Sequence, residues 1–244
     1  MNALLKKELS AFFASITGYL IVITFLIIIG LFTWVFPGHF NILEVGYANL
    51  DSLFILSPWV FLFLVPAVTM RLFSEEKKTG TLDILLTRPI SDFKIVMAKF
   101  ITGFVLVTIA ILPTFIYYLS IYYLSNPIGN VDTGAILGSY LGLLLLASIY
   151  VSIGLYASSL TDNQIIAFLL GAILCFVFFF AFDAIGSLEF FSSISNFIYN
   201  IGISEHYKSI SRGVIDSRDI VYFISVIAIF LLLTKTKLSS RKWK

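Results

Sequence analysis

Residues 135–160 read AILGSYLGLLLLASIYVSIGLYASSL, an apolar run from Ala135 to Leu160 without a charged side chain. A helix needs about 20 residues to cross the roughly 30 Å hydrocarbon core of a bilayer. This run is longer than that and lacks the two-residue alternation of a barrel strand, so it reads as a transmembrane helix. Five other stretches pass the same test: Thr17 to Phe36, Leu53 to Met70, Phe100 to Leu124, Gln164 to Phe182, and a shorter one from Ile220 to Thr234 that can extend backward through Arg218 and Asp219. Composition agrees: of 244 residues, 59% are hydrophobic and 12% charged, against roughly 45–50% and about 25% in soluble domains. A mean hydropathy of +1.00 excludes a large water-exposed surface. The expected fold is all-α, a polytopic membrane protein built as a six-transmembrane-helix bundle, one domain over residues 1–244.

The net charge of +2 gives no reason to expect a nucleic-acid partner, but the placement of the charges is informative. Lys6 and Lys7 precede the first span, Arg71, Lys77, Lys78, Arg88, Lys94 and Lys99 lie between the second and third, and Lys235, Lys237, Arg241, Lys242 and Lys244 follow the sixth. Only Lys208, Arg212 and Arg218 of the 16 basic residues fall on the other side. The positive-inside rule therefore predicts that both termini and the loop from Arg71 to Lys99 are cytoplasmic. No small-x-small cleavage site follows the first span, which is expected to stay as an anchor. Before it, Leu5, Leu9, Phe12 and Ile16 recur at helical spacing with Lys6, Lys7 and Ser10 elsewhere on the wheel. Residues 1–16 are thus expected to form an interfacial amphipathic helix, the alternative being an early, frayed start to span one.

Groups suited to catalysis are sparse. Cys175 lies alone inside an apolar run, and His39 and His206 sit in different external loops with no carboxylate at ligand spacing, so no metal site is expected. The chain has no GxxxxGK[ST], GxSxG or HExxH motif, and it reads as non-catalytic. An ion-coupled transporter needs ionisable groups deep in its helices. The only candidates, Asp162 in a short turn and Asp183 at the end of span five, can both reach water. Gly134, Gly138 and Gly142 recur every four residues in span four, a stripe suited to close helix packing, either within the bundle or at a subunit interface. Pro66 and Pro113 each remove a backbone donor from a span and favour a bend.

The loop after span two, RLFSEEKKTGTLDILLTRPIS from Arg71 to Ser91, holds the richest pattern. Ser74 can cap a helix whose first turn carries Glu75 and Glu76, and Gly80 permits a sharp break. Thr81 can cap a second short helix with Leu82, Leu85 and Leu86 on one face, ending before Pro89. The expected product is an apolar knob with a charged rim whose leucines need either the membrane surface or another protein's groove. Farther on, the stretch from Ala184 to Asp219 holds an apolar piece, Phe190 to Tyr199, too short to span, and residues 184–219 are expected to form an external re-entrant or interfacial segment.

Glu75-Glu76-Lys77 through Gly80-Thr81-Leu82-Asp83-Ile84-Leu85-Leu86 and Pro89 resembles the coupling-helix region of type-2 ABC transporter permeases, where an E-E-K-x-x-G-T-L-E-x-L-L-x-x-P pattern follows the second span. Asp83 stands where glutamate is usual. Lys7-Glu8-Leu9 with Phe12-Phe13 and Thr17-Gly18-Tyr19 resembles their entry helix, and Ser211 to Asp219 resembles the pattern before their last span. Phe40-Asn41-Ile42-Leu43, Ser57-Pro58-Trp59, Pro66 to Arg71 and Glu205 to Ile210 are similar to the gliding-motility permeases within that family.

The resemblance implies an inner-membrane exporter subunit driven by a separate ABC ATPase dimer, with ATP and magnesium bound in that partner and no cofactor in this chain. It further implies that Leu82, Leu85 and Leu86 fill the ATPase groove. Glu75, Glu76, Asp83 and Arg88 then set its orientation, while Gly80 and Pro89 shape the loop. The second half of the pathway is expected to be another copy of the chain or a related membrane subunit, set in the lipid bilayer. Two rival classes remain at this level: a structural anchor of a motility or secretion apparatus, and an ion-coupled secondary transporter.

Overall fold

The computed structural model describes residues 2–87 and 90–240, and every regular element among them is helical. Helix α1 (Asn2–Phe13) is set off from α2 (Ile16–Gly30) by Ser15, whose backbone is extended, so the N-terminal helix is a separate element rather than a frayed start to the span. A π turn, Leu31–Val35, prolongs α2. Helices α3 (Asp51–Lys78) and α4 (Thr81–Leu86) form a hairpin, followed by α5 (Asp92–Ile111) and α6 (Phe115–Leu124). Next come α7 (Thr133–Leu160) and α8 (Gln164–Phe176), the latter continued through a π turn into α9 (Phe182–Gly186). Short helices α10 (Ser195–Tyr199) and α11 (Ile203–Ile210) lead to α12 (Ser217–Ser239).

Among the described residues, six helical segments are long and apolar enough to cross a membrane, as the sequence predicts, and the last begins at Ser217, upstream of Arg218 and Asp219. Several starts have local causes. Asp132, Asn163 and Asp216 each accept a hydrogen bond from a backbone N–H of the first turn they precede, which satisfies donors a helix end leaves open. Pro113 lies in a 3-10 turn, Leu112–Thr114, that divides the third span into α5 and α6, whereas Pro66 sits inside the unbroken α3.

Helices α3 and α7 form the centre of the bundle, with 61% and 78% of their apolar windows buried, against 22% to 28% for the first, fifth and sixth spans. Small residues let α3 and α7 approach closely: a Cβ on Gly154 would stand 2.1 Å from Thr69 Oγ1. Pro58, inside α3, has no N–H for the carbonyl of Phe54. Tyr207 of α11 supplies the missing donor, its hydroxyl lying 2.8 Å from that oxygen. In an apolar medium an unpaired carbonyl is costly, so this bond both repairs the helix and fixes α11 over it.

Candidate functional site at the α3–α4 hairpin

The helix expected to start at Ser74 does not start there. Helix α3 runs without interruption to Lys78, and Ser74 is an interior residue whose hydroxyl donates to the Met70 carbonyl. The reason is local: Glu75-Glu76-Lys77-Lys78 are good helix formers, with no breaker between them and the span. Termination waits for Gly80, which adopts φ +70, a left-handed conformation that suits glycine. Thr79 N and Gly80 N close the last turn on Glu75 O and Lys77 O at 3.0 and 3.2 Å. Thr81 is likewise not a cap. Gly80 holds that position and Thr81 opens α4, its hydroxyl 2.9 Å from that of Thr79.

The direction of the leucine face is also corrected. Leu82 is fully buried within the chain's own core, in a cluster with Phe73, Ile95, Val96 and Leu238, and Leu85 packs partly buried against the same cluster. Neither is presented as an outward knob. A helix of six residues folds back on α3 and shields its apolar face there, because that is the nearest apolar surface. Asp83 and Thr87 are exposed, and Ile84 is 62% exposed, so the free face of α4 is carried by these residues. The Leu86 side chain, Arg88 and Pro89 lie outside the described residues.

Beneath the hairpin lies a polar junction that local sequence does not reveal. Lys99 of α5 is fully buried, and its Nζ sits 2.9 Å from Glu76 Oε2 and 3.2 Å from Glu8 Oε1. It also donates to the Leu72 carbonyl and stands 5.1 Å over the Phe73 ring. The Glu8 and Glu76 side chains are only 14% and 13% exposed, so the three charges depend on one another for solvation. Lys7 adds a longer contact to Glu76, 3.6 Å.

Helix α7 holds α3 from a third side. Ser158 Oγ accepts from Phe73 N and Ser74 N at 3.1 Å each and donates to Met70 O at 2.9 Å, while Lys77 Nζ donates to Ser159 O. The end of α12 joins through Ser239, whose hydroxyl donates to Asp92 at 3.1 Å. Of the expected site residues, then, Glu76 belongs to the buried junction and Glu75 pairs with Arg71 at 3.6 Å on the surface. Lys99 and Glu8 were missed as members of it. The available signal was a second cation, beyond Asp92 and Lys94 at the start of the helix, set among Ile95, Val96, Ala98 and Phe100.

On the opposite face α11 packs across α7. A Cβ on Gly142 would fall 2.4 Å from Ile210 Cγ2, and one on Gly138 would meet the Gly213 backbone at 2.9 Å. These two glycines therefore face the chain's own segment, while Gly134 has only Asp132 Oδ1 nearby, at 3.5 Å. Ser139 Oγ donates to Ser211 O at 2.8 Å, and burial pushes the Tyr207 phenol above its ordinary pKa. His206 is held between Asp219 (2.7 Å) and Asn200 O (3.0 Å) and stacks on Tyr222. That pairing with a carboxylate 13 residues away escaped sequence reading. Asp183 binds Lys208 at 2.7 Å and Ser204 at 2.8 Å, Asp162 is exposed in its turn, and no three-residue metal cluster occurs among the described residues.

A six-span helical bundle with a hairpin locked beneath its second, third and fourth spans defines a polytopic membrane protein with a fixed projection on the face where α1 and the end of α12 meet. The chain matches the ABC-2 family transporter protein family over residues 3–235 and belongs to it. No curated protein matches the chain. Membership makes it a membrane component of an ABC-2 transporter, in agreement with the resemblance carried by the Glu75 to Leu86 motif.

Proposed function

We propose that this chain is the permease subunit of an ATP-driven exporter in a bacterial inner membrane, with its termini and the α3–α4 hairpin in the cytoplasm. A separate ABC ATPase dimer docks on the hairpin, binds ATP and magnesium, and drives the pathway that this chain forms with a second copy or a related membrane subunit. The motifs shared with gliding-motility permeases favour that system.

The observation that carries the reading is the way the hairpin is fixed. Leu82 is wedged into the core, Lys99 ties Glu76 to Glu8, and Ser158 grips the α3 backbone, so force on the free face of α4 passes directly to the second, third and fourth spans. The docking face in this account is Asp83, Ile84 and Thr87, with Leu82 and Leu85 as the internal wedge. Asp183, paired through Oδ2 with Lys208 close to the end of the fifth span, and Asp162, exposed in its turn, give the secondary-transporter reading no carboxylate near the middle of a span.

The test is purification of the tagged chain in mild detergent, with mass-spectrometric identification of what accompanies it, for wild type and Ile84→Glu. A P-loop ATPase is expected with the wild type and not with the variant, while the variant elutes as a folded protein. Retention of the ATPase by folded Ile84→Glu would remove the proposed docking face.

A further inference from the structure

Helices α1 and α3 leave a cleft of about 360 Å³ between them, walled by Phe12, Val68 and Leu72 and bordered by Lys7, Arg71 and Glu75. Its lining mixes these apolar side chains with Thr79 and Thr81, and its charged residues, Glu8 and Glu76 included, carry both signs. On the rim, Arg71 Nε stands 3.6 Å from Glu75 Oε2 and Lys7 Nζ 3.6 Å from Glu76 Oε1. The side chains of Lys7, Arg71 and Glu75 keep 65%, 33% and 50% of their exposure, so all three can reach a ligand.

The charges around the cleft decide which ligand fits. With Lys99 behind the wall, the cations Lys7, Arg71 and Lys99 balance the anions Glu8, Glu75 and Glu76. A net-anionic guest leaves an uncompensated charge at a partly desolvated site, whereas a neutral guest carrying both signs does not. Next to the cleft, the start of α2 exposes Ile16, Tyr19, Leu20 and Ile23, an apolar face suited to acyl chains.

We propose that this cleft binds the headgroup of a zwitterionic phospholipid with a primary ammonium, as in phosphatidylethanolamine. The phosphate lies against Lys7 and Arg71, which donate charge-assisted hydrogen bonds. The ammonium donates to Glu75, a bond that a choline headgroup, having no N–H, cannot make. The bound lipid joins α1 to the end of α3 next to the Lys99 junction, which places the hairpin's footing in contact with the membrane. This inference rests on reading α1 as a helix at the bilayer surface and does not depend on the ATPase.

The experiment is native mass spectrometry of the purified full chain titrated with dioleoyl phosphatidylethanolamine, phosphatidylcholine or phosphatidylglycerol. Wild type is expected to retain the ethanolamine lipid in preference to both others. Arg71→Ala is expected to weaken its retention about tenfold, and Glu75→Met, which keeps the side-chain length but removes the acceptor, to abolish the preference over the choline lipid. Equal or tighter retention of phosphatidylglycerol or phosphatidylcholine by wild type, or wild-type behaviour in both variants, overturns the proposal. Placement of α1 is read separately from quenching of a fluorophore on Leu5→Cys, on the apolar face of that helix, by brominated lipid: no quenching refutes that placement, and quenching without lipid selectivity refutes the site alone.

Discussion

The two ends of the bundle are held by different physics. At the hairpin, a buried lysine shared by two glutamates joins α1, α3 and α5, so the removal of one member strands charges in the protein interior. At the opposite face, α11 is held by close packing of Ile210 on Gly142, by neutral hydrogen bonds such as Tyr207 to Phe54 O, and by the partly exposed contacts of Lys208 with Asp183 and His206 with Asp219, each of modest worth. The first arrangement resists gradual deformation, which is what the proposed coupling role requires. The second can be loosened one contact at a time. Within each end, what matters is whether the polar groups have an alternative partner.

The contrast predicts a graded set of mutational effects. The largest is expected for Lys99→Met, which leaves Glu8 and Glu76 facing each other with only the longer Lys7 contact to Glu76 and costs about 3–5 kcal/mol of stability. Thermal unfolding in detergent measures it, and adding Glu8→Gln and Glu76→Gln is expected to recover most of the loss. Persistence of the full loss in the triple variant assigns the cost to packing and breaks the comparison. Next comes Leu82→Ala, at about 2–5 kcal/mol for a cavity in the hairpin wedge, while Ile84→Ala stays within about 0.5 kcal/mol on the same assay. Equal effects at Leu82 and Ile84 would contradict the corrected direction of the leucine face.

Smaller effects belong to the α11 face. Gly142→Val forces Ile210 away and is expected to cost about 1–3 kcal/mol, visible as faster hydrogen exchange over residues 203–213 with α3 and α4 unchanged. Smallest of all, Tyr207→Phe orphans the Phe54 carbonyl at a cost of about 1 kcal/mol. Pro58→Ala restores an N–H to that carbonyl, so the double variant is expected to lose less than the sum of the two single changes. Strict additivity in this double-mutant cycle would show that the hydroxyl is not repairing the helix.

What the sequence made legible follows the same division. The six spans could be read directly because length and apolarity are local properties, and the break at Gly80 because a tight turn has its own residue chemistry. Amphipathicity showed that α4 has an apolar face through Leu82 and Leu85, yet it could not tell which side would be covered. That depends on the surface that Phe73, Ile95 and Leu238 build together. The Lys99 junction was hidden for a related reason, since Glu8 and Lys99 are 91 positions apart and either alone resembles an ordinary interfacial charge. Tyr207 and Phe54 are 153 positions apart, and only the missing N–H of Pro58 hinted that some distant donor was required.

Cysteine accessibility tests the central claim most directly, because the native Cys175 is buried. Ile84→Cys and Leu82→Cys are compared for labelling by a membrane-impermeant maleimide in inside-out vesicles, with and without the co-expressed ATPase. The account predicts that Ile84→Cys is labelled when the chain is alone and protected when the ATPase is present, while Leu82→Cys stays unlabelled in both. Ready labelling of Leu82→Cys in the chain alone, or labelling of Ile84→Cys that the ATPase leaves unchanged, would contradict it.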